Sequence, residues 1–265
     1  MVKYLSYNTL ASFGDTKRKD ALVQFVKTES PDVAFFAEAY REDGDFSVVE
    51  SSIKSLEKLG YAVTQGLTDL VDTRSDRTGF IGIVRPELGE GSCMPIGVRQ
   101  GFLAKIKDPT SGEQIISGGV HLDDRTEEAR LLQISALPAN LDTLMGDFNA
   151  MHRSTPIAKA LRLAYPITQT FPEVNPDFAV TTSLFKRMIS MGQRLTRMAD
   201  GRTLTALEEE HRLRDADSAM QPTIHGIAQL DHIVTSDRIK TSNYHVHRNI
   251  RLSDHVPISV ELHTS

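Results

Sequence analysis

The stretch Leu144-Met145-Gly146-Asp147-Phe148-Asn149-Ala150 decides how the rest of the chain is read. An apolar run (Leu141, Leu144, Met145) stops at a glycine, and two short polar side chains follow two positions apart. Extended chain has a side-chain period of two, so Asp147 and Asn149 should point to one side just beyond a strand end. A carboxylate beside a carboxamide at the mouth of a sheet can orient a water and hold an anion. Asp and Asn also close turns well, so the pair alone fits a plain strand-ending turn at least as well.

Working outward, other strand ends carry similar side chains. Val2 to Tyr7 alternates and ends at Asn8; Val33-Ala34-Phe35-Phe36-Ala37 is apolar on both faces, as a buried central strand is, and stops at Glu38. Gln114–Val120 leads through two glycines to His121. Leu230-Asp231-His232-Ile233-Val234 sets an acid among apolar residues, and Asp254-His255 opens the alternating run to Val260. Further strands are expected at 61–65, 80–85 and 102–106, joined as antiparallel hairpins by short Gly- and Pro-containing intervals. Helices are expected over 15–29 with an Asp15 cap, from Val49 to a stop at Gly60, over 126–137 behind Thr126, and in a short piece capped by Ser154-Thr155-Pro156.

Composition narrows the class. The chain has 265 residues with 40% hydrophobic and 25% charged, ordinary for one soluble α/β-type domain. A single cysteine, Cys93, excludes an internal disulfide framework and a cysteine-based zinc site. No apolar run reaches the length of a membrane span and the first residues lack a signal-peptide pattern, so a cytoplasmic location is the default expectation. The net charge of −5 argues against a protein that coats nucleic acid by bulk electrostatics.

Six separate segments thus deliver oxygen- or nitrogen-bearing side chains at a strand end: Asn8, Glu38, His121, Asp147 with Asn149, Asp231, and Asp254 with His255. Rim decoration has no reason to avoid Ser, Lys and Thr at all six. A donor set rich in oxygen favours Mg²⁺ or Mn²⁺ over zinc.

The motifs Ser-Tyr-Asn8, Pro-Asp-Val-Ala-Phe-Phe-Ala-Glu38, Gly-Val-His121-Leu, Gly-Asp147-Phe-Asn149, Leu-Asp231-His-Ile and Ser-Asp254-His255-Val-Pro resemble, in this order, those of the endonuclease/exonuclease/phosphatase superfamily. The likeness runs from first strand to last. It implies an α+β fold, a four-layer α/β/β/α sandwich of two packed, mostly antiparallel sheets flanked by helices. Family members often carry Trp-Asn and Gln-Glu where this chain has Tyr7-Asn8 and Ala37-Glu38; the polar partner is kept and its neighbour changed. His121 and the absence of tryptophan set the chain apart from abasic-site endonucleases of the exonuclease III type.

The resemblance implies Mg²⁺-dependent hydrolysis of a phosphate ester, most simply a phosphodiester, with a nuclease on DNA or RNA or an inactive binding module as alternatives. Glu38, with Asn8 and Asp254, would hold one Mg²⁺; Asp147 would activate water with Asn149 beside it. His255, oriented by Asp231, would act with His121 on the phosphorus oxygens. A second ion at Asp147 and Asn149 is left open. One domain over 1–265 is expected, with a helical insertion at about 164–212 that is basic between Lys186 and Arg202; Arg187, Arg194 and Arg197 are the candidate substrate contacts.

Overall fold

The computed structural model describes residues 1–68, 77–152, 154–169, 198–224 and 228–264, side chains of 164–169 excepted. Twelve strands and five α-helices are found among them. The strands are β1 (Val2–Asn8), β2 (Val33–Arg41), β3 (Ala62–Leu67), β4 (Thr78–Val84), β5 (Gly89–Ile96), β6 (Arg99–Lys107), β7 (Gln114–His121), β8 (Thr143–Asp147), β9 (Leu213–Asp215), β10 (Asp231–Ser236), β11 (Ile239–Val246) and β12 (Ile258–Thr264). The helices are α1 (Lys19–Glu29), α2 (Phe46–Lys58), α3 (Glu127–Ser135), α4 (Pro156–Gln169) and α5 (Arg202–His211).

The strands form two six-stranded sheets, in the orders β11-β12-β1-β2-β4-β3 and β5-β6-β7-β8-β10-β9. Pairing is antiparallel except for β1 with β2 and β7 with β8. The two-faced apolar strand β2 explains the layering. Val33, Phe35 and Ala37 pack between the sheets with Tyr4, Phe80, Phe102, Met145, Ile233 and Val260. Ala34 and Phe36 face the other way, onto Leu22, Phe25 and Val26 of α1 and Val49 and Leu56 of α2. On the far side, Ile134 of α3 and Leu207 of α5 cover Val120, Leu144 and Val234. The result is the expected α/β/β/α sandwich. The sheets come so close that a Cβ on Gly119 would sit 2.4 Å from the Phe35 ring, which is why small residues interrupt β7.

Local expectations are corrected in several places. Asp15 does cap backbone, accepting from the Lys17 and Arg18 N–H groups, but α1 begins only at Lys19. The strand at Glu38 does not stop; β2 continues to Arg41 through a register shift against β4 between Phe36 and Tyr40. Glu38 sits in that bulge with φ +43°, a left-handed conformation costly for any residue with a Cβ and uncommon outside glycine. Strands β5, β9 and β11 were not expected. β5 and β11 are edge strands whose half-exposed, polar alternation, with a register shift in β11, blurs the pattern. The helix at the end of the expected insertion runs from Arg202 to His211, and Leu213–Asp215 joins β10 as a strand.

Candidate active site

Register alone assembles half the site. His121 and Asp147 are partners in the β7–β8 ladder, and Asp147 and Asp231 are partners in the β10–β8 ladder. The three therefore form one row across the second sheet, on the same face. On the first sheet Asn8 ends β1 beside Ala37 of the parallel β2, one residue from Glu38. The bulge in β2 is held from behind: the Glu38 carbonyl accepts from the Ala11 N–H at 2.6 Å and from the Thr9 hydroxyl at 3.1 Å.

The two halves meet through one carboxamide. Asn8 Nδ2 donates to Glu38 Oε1 and to Asp147 Oδ2, both at 3.0 Å. His121 Nε2 lies 3.6 Å from Glu38 Oε1 and 3.8 Å from Asp147 Oδ2, and its Nδ1 is buried without a hydrogen-bond partner. His255 completes the ring: Nδ1 is bonded to Asp231 Oδ2 at 2.7 Å, and Nε2 faces Asp147 Oδ2 at 3.7 Å. Burial would depress the His255 pKa, but the carboxylates of Asp231 and Asp147 outweigh it and raise it to about 10.

Asn149 is placed by a turn rather than by strand periodicity. The strand ends at Asp147, Asn149 has φ +48°, and its N–H donates to Asp147 Oδ1 at 2.9 Å. Its side-chain amide donates to the Leu122 carbonyl at 2.9 Å, stitching the turn to the segment after His121. So the Asp-x-Asn motif is a turn, and that turn aims Asp147 Oδ2 at the other site groups. Asp254 is exposed and accepts from the Ser253 hydroxyl. Arg187, Arg194 and Arg197 lie outside the described residues.

Glu38, His121 and Asp147 each bring a ligand atom within 4.8 Å of the others. Two carboxylates that close repel by about 3 kcal/mol at an effective dielectric near 20. Among the described residues their ion-pair partners are imidazoles, with no Lys or Arg against them. That charge balance and the oxygen-rich donor set fit a hard divalent cation. Asp147, Asp231 and His255 are as close to one another, but there the Asp231–His255 hydrogen bond already occupies the facing atoms.

Two features carry no role in the sequence reading. Arg99 is buried and donates to the His121 carbonyl at 2.9 Å. His232 is fully buried, bonded to Asp215 and to the Ala150 carbonyl. His232 falls inside a quoted motif, but nothing in a sequence says that it touches Asp215.

A sequence profile of the Endonuclease/Exonuclease/phosphatase family matches residues 5–255. Among curated proteins none matches this sequence. Solved structures similar to this chain include an endonuclease/exonuclease/phosphatase from Beutenbergia cavernae, 16% identical with a TM-score of 0.65 over 99% of this chain and 71% of that one. The human Nocturnin catalytic domain with bound sulfate is 12% identical, with a TM-score of 0.65 over 100% and 94% of the two chains. ANGEL2, described as a 2',3'-cyclic phosphatase in complex with adenosine-2',3'-vanadate, is 13% identical, with a TM-score of 0.60 over 98% and 95%.

Proposed function

Because the chain belongs to the endonuclease/exonuclease/phosphatase family, whose members hydrolyse phosphate esters, we propose that it is a Mg²⁺-dependent phosphodiesterase. The observation that carries the reading is the meeting of Glu38 and Asp147 over Asn8, ringed by two imidazoles. Glu38 and Asn8 are the residues that would hold Mg²⁺, or Mn²⁺ in its place, with Asp147 facing them and Asp254 beyond. Asn8 Oδ1 accepts from the Leu10 N–H, so serving as a ligand would require its amide to turn over. When bound, such an ion neutralises charge on the phosphoryl and leaving oxygens.

The rest of the reaction falls to side chains. Asp147, fixed through Oδ1 by the turn, accepts the proton of the attacking water at Oδ2. Asn149 closes the turn and keeps one amide hydrogen for water or phosphate. His255, held as an imidazolium by Asp231, presents Nε2–H to the charge that builds on the phosphorus oxygens, with His121 opposite. The vanadate complex of ANGEL2 supports a diester-like substrate in this fold.

A nuclease acting on DNA or RNA is the second reading, favoured by the basic residues between Lys186 and Arg202 and opposed by the net charge of −5. One panel separates the two: chelator-treated protein, with and without Mg²⁺ or Mn²⁺, on p-nitrophenyl phosphate, bis-p-nitrophenyl phosphate, a 2',3'-cyclic nucleotide, plasmid and single-stranded nucleic acid. Metal-dependent turnover of the small diesters is expected, and Glu38→Gln should lower it by about 10²–10³-fold or more while the protein stays folded. Full activity in chelator would overturn the mechanism.

A further inference from the structure

The strand β10 carries two adjacent residues that face opposite ways. Asp231 points into the site and meets His255. His232, next along, points to the outer face of the same sheet and is fully buried there. Its surroundings are unusual for a core histidine. Nδ1 is bonded to Asp215 Oδ2, and Nε2 lies 2.9 Å from the carbonyl oxygen of Ala150. The carbonyl can only accept and an ionised Asp215 carboxylate likewise, so with that carboxylate charged both ring nitrogens carry hydrogen and the ring is a cation. Its face lies on Phe148, with centroids 5.2 Å apart and planes 26° from parallel, an arrangement in which the aromatic ring favours positive charge.

What this ring grips is the back of the catalytic turn. Phe148 and Ala150 flank Asn149, whose left-handed backbone and N–H bond set the direction of Asp147. Besides the Asn149 amide bond to Leu122, the turn is therefore gripped from both faces of the sheet. In front, Asp147 Oδ2 is held by Asn8. Behind, the turn is held by His232, and His232 by Asp215. Asp215 is itself fixed: Oδ1 accepts from the Asp217 N–H at 2.9 Å, and Oδ2 accepts from Gln229 Nε2 at 3.3 Å.

We propose that His232 and Asp215 are positioning residues for hydrolysis, a buried imidazolium–carboxylate clamp that fixes the Asp147–Asn149 turn from the face opposite the substrate. This builds on the assignment of Asp147 as the proton acceptor. The clamp touches neither substrate nor reacting atoms and acts only through the turn.

The test separates positioning from general stability, and both from the assignment of Asp147. Asp215→Asn removes the charge and keeps the shape; His232→Gln keeps one donor. On bis-p-nitrophenyl phosphate with Mg²⁺, each should lower kcat about ten-fold or more with KM within two-fold, in protein whose far-UV spectrum is unchanged. If either variant is too unstable, Phe148→Leu, which removes the aromatic face alone, takes its place with a smaller loss in kcat. A spectroscopic arm needs no activity: in ¹⁵N-labelled wild type without metal, the His232 ring should show two protonated nitrogens. The Asn149 backbone amide should shift in Asp215→Asn. Unchanged kcat in folded variants, or a neutral His232 ring, would overturn the clamp. Failure of the phosphodiesterase reading would instead appear as absent turnover in wild type with both spectroscopic signatures intact.

Discussion

At the residue scale the site depends on pairs rather than on single groups. Asp231 is wholly buried and its Oδ2 is spent on His255 Nδ1. Removing the acid leaves a buried imidazole without the charge that keeps it protonated, and removing the imidazole leaves a buried unpaired carboxylate. Asp231→Asn and His255→Ala should therefore each cost about 10²-fold or more in kcat/KM, and the double variant scarcely more than the worse single one. Multiplicative losses, measured in the same assay, would show that the two act separately. The residue types at Asn8, Glu38, His121, Asp147, Asp231 and His255 were legible from sequence because each stands at one end of an apolar or alternating run. Their chemistry announces itself by contrast with that run. Asn149 was legible as a motif but not in its geometry, since a left-handed turn replaces the straight strand that periodicity assumes.

At the element scale, what the sequence hid is irregular backbone. Apolar alternation locates β2 but not the bulge within it, because a bulge leaves composition unchanged. β5 and β11 were lost for the opposite reason: partly exposed strands have little apolar pattern to find. Glycine is the one residue whose spelling does report such backbone. Gly146, one before Asp147, has φ +143°, and a Cβ there would lie 1.8 Å from the Val120 carbonyl oxygen of the neighbouring strand. Gly146→Ala must force β7 and β8 apart, so a loss of several kcal/mol is expected, with most of the protein insoluble. Gly97→Ala is the matched control. Its φ is +68° with nothing within 4 Å, so about 1 kcal/mol should be lost, a small drop in melting temperature with the fold retained. Equal effects would show that conformation, and not contact with β7, decides both.

At the scale of the whole molecule, two expectations concern charge. His247 is buried where β11, β12 and α1 meet, with Nε2 on the Ser259 hydroxyl at 2.9 Å and Nδ1 3.5 Å from Glu29. Burial is the main cause that lowers its pKa to about 4, against the opposing pull of Glu29. An unfolded chain binds the proton near 6.5, so this histidine adds stability above that pH and loses it as pH falls toward 4. The full shift corresponds to roughly 3 kcal/mol as an upper bound. Urea unfolding at pH 7 and 4.5 should show a smaller acid loss in His247→Gln than in wild type; an equal loss would place the acid sensitivity elsewhere. The second expectation concerns the basic segment with Arg187, Arg194 and Arg197, the candidate substrate contacts of the sequence reading. Replacing all three by Ala should raise KM several-fold on the proposed phosphodiester substrate, more at low salt than at high, and hardly alter turnover of bis-p-nitrophenyl phosphate. Equal losses on both would make the segment scaffolding.

The pairing of β1 with β12 sets a further condition on how such a molecule comes to work. Val2 is registered against Leu262, 260 positions along the chain (262 − 2), and this pair lies inside the first sheet rather than at its edge. Contacts that distant in sequence form slowly, because a very long loop must close before they return any energy. His255 lies just ahead of β12, and Asn8 ends β1. If His255 has the role proposed for it, that group is delivered by the same closure that completes the sheet, so a copy with β1 and β12 still unpaired should be without turnover even where Glu38, His121 and Asp147 have gathered.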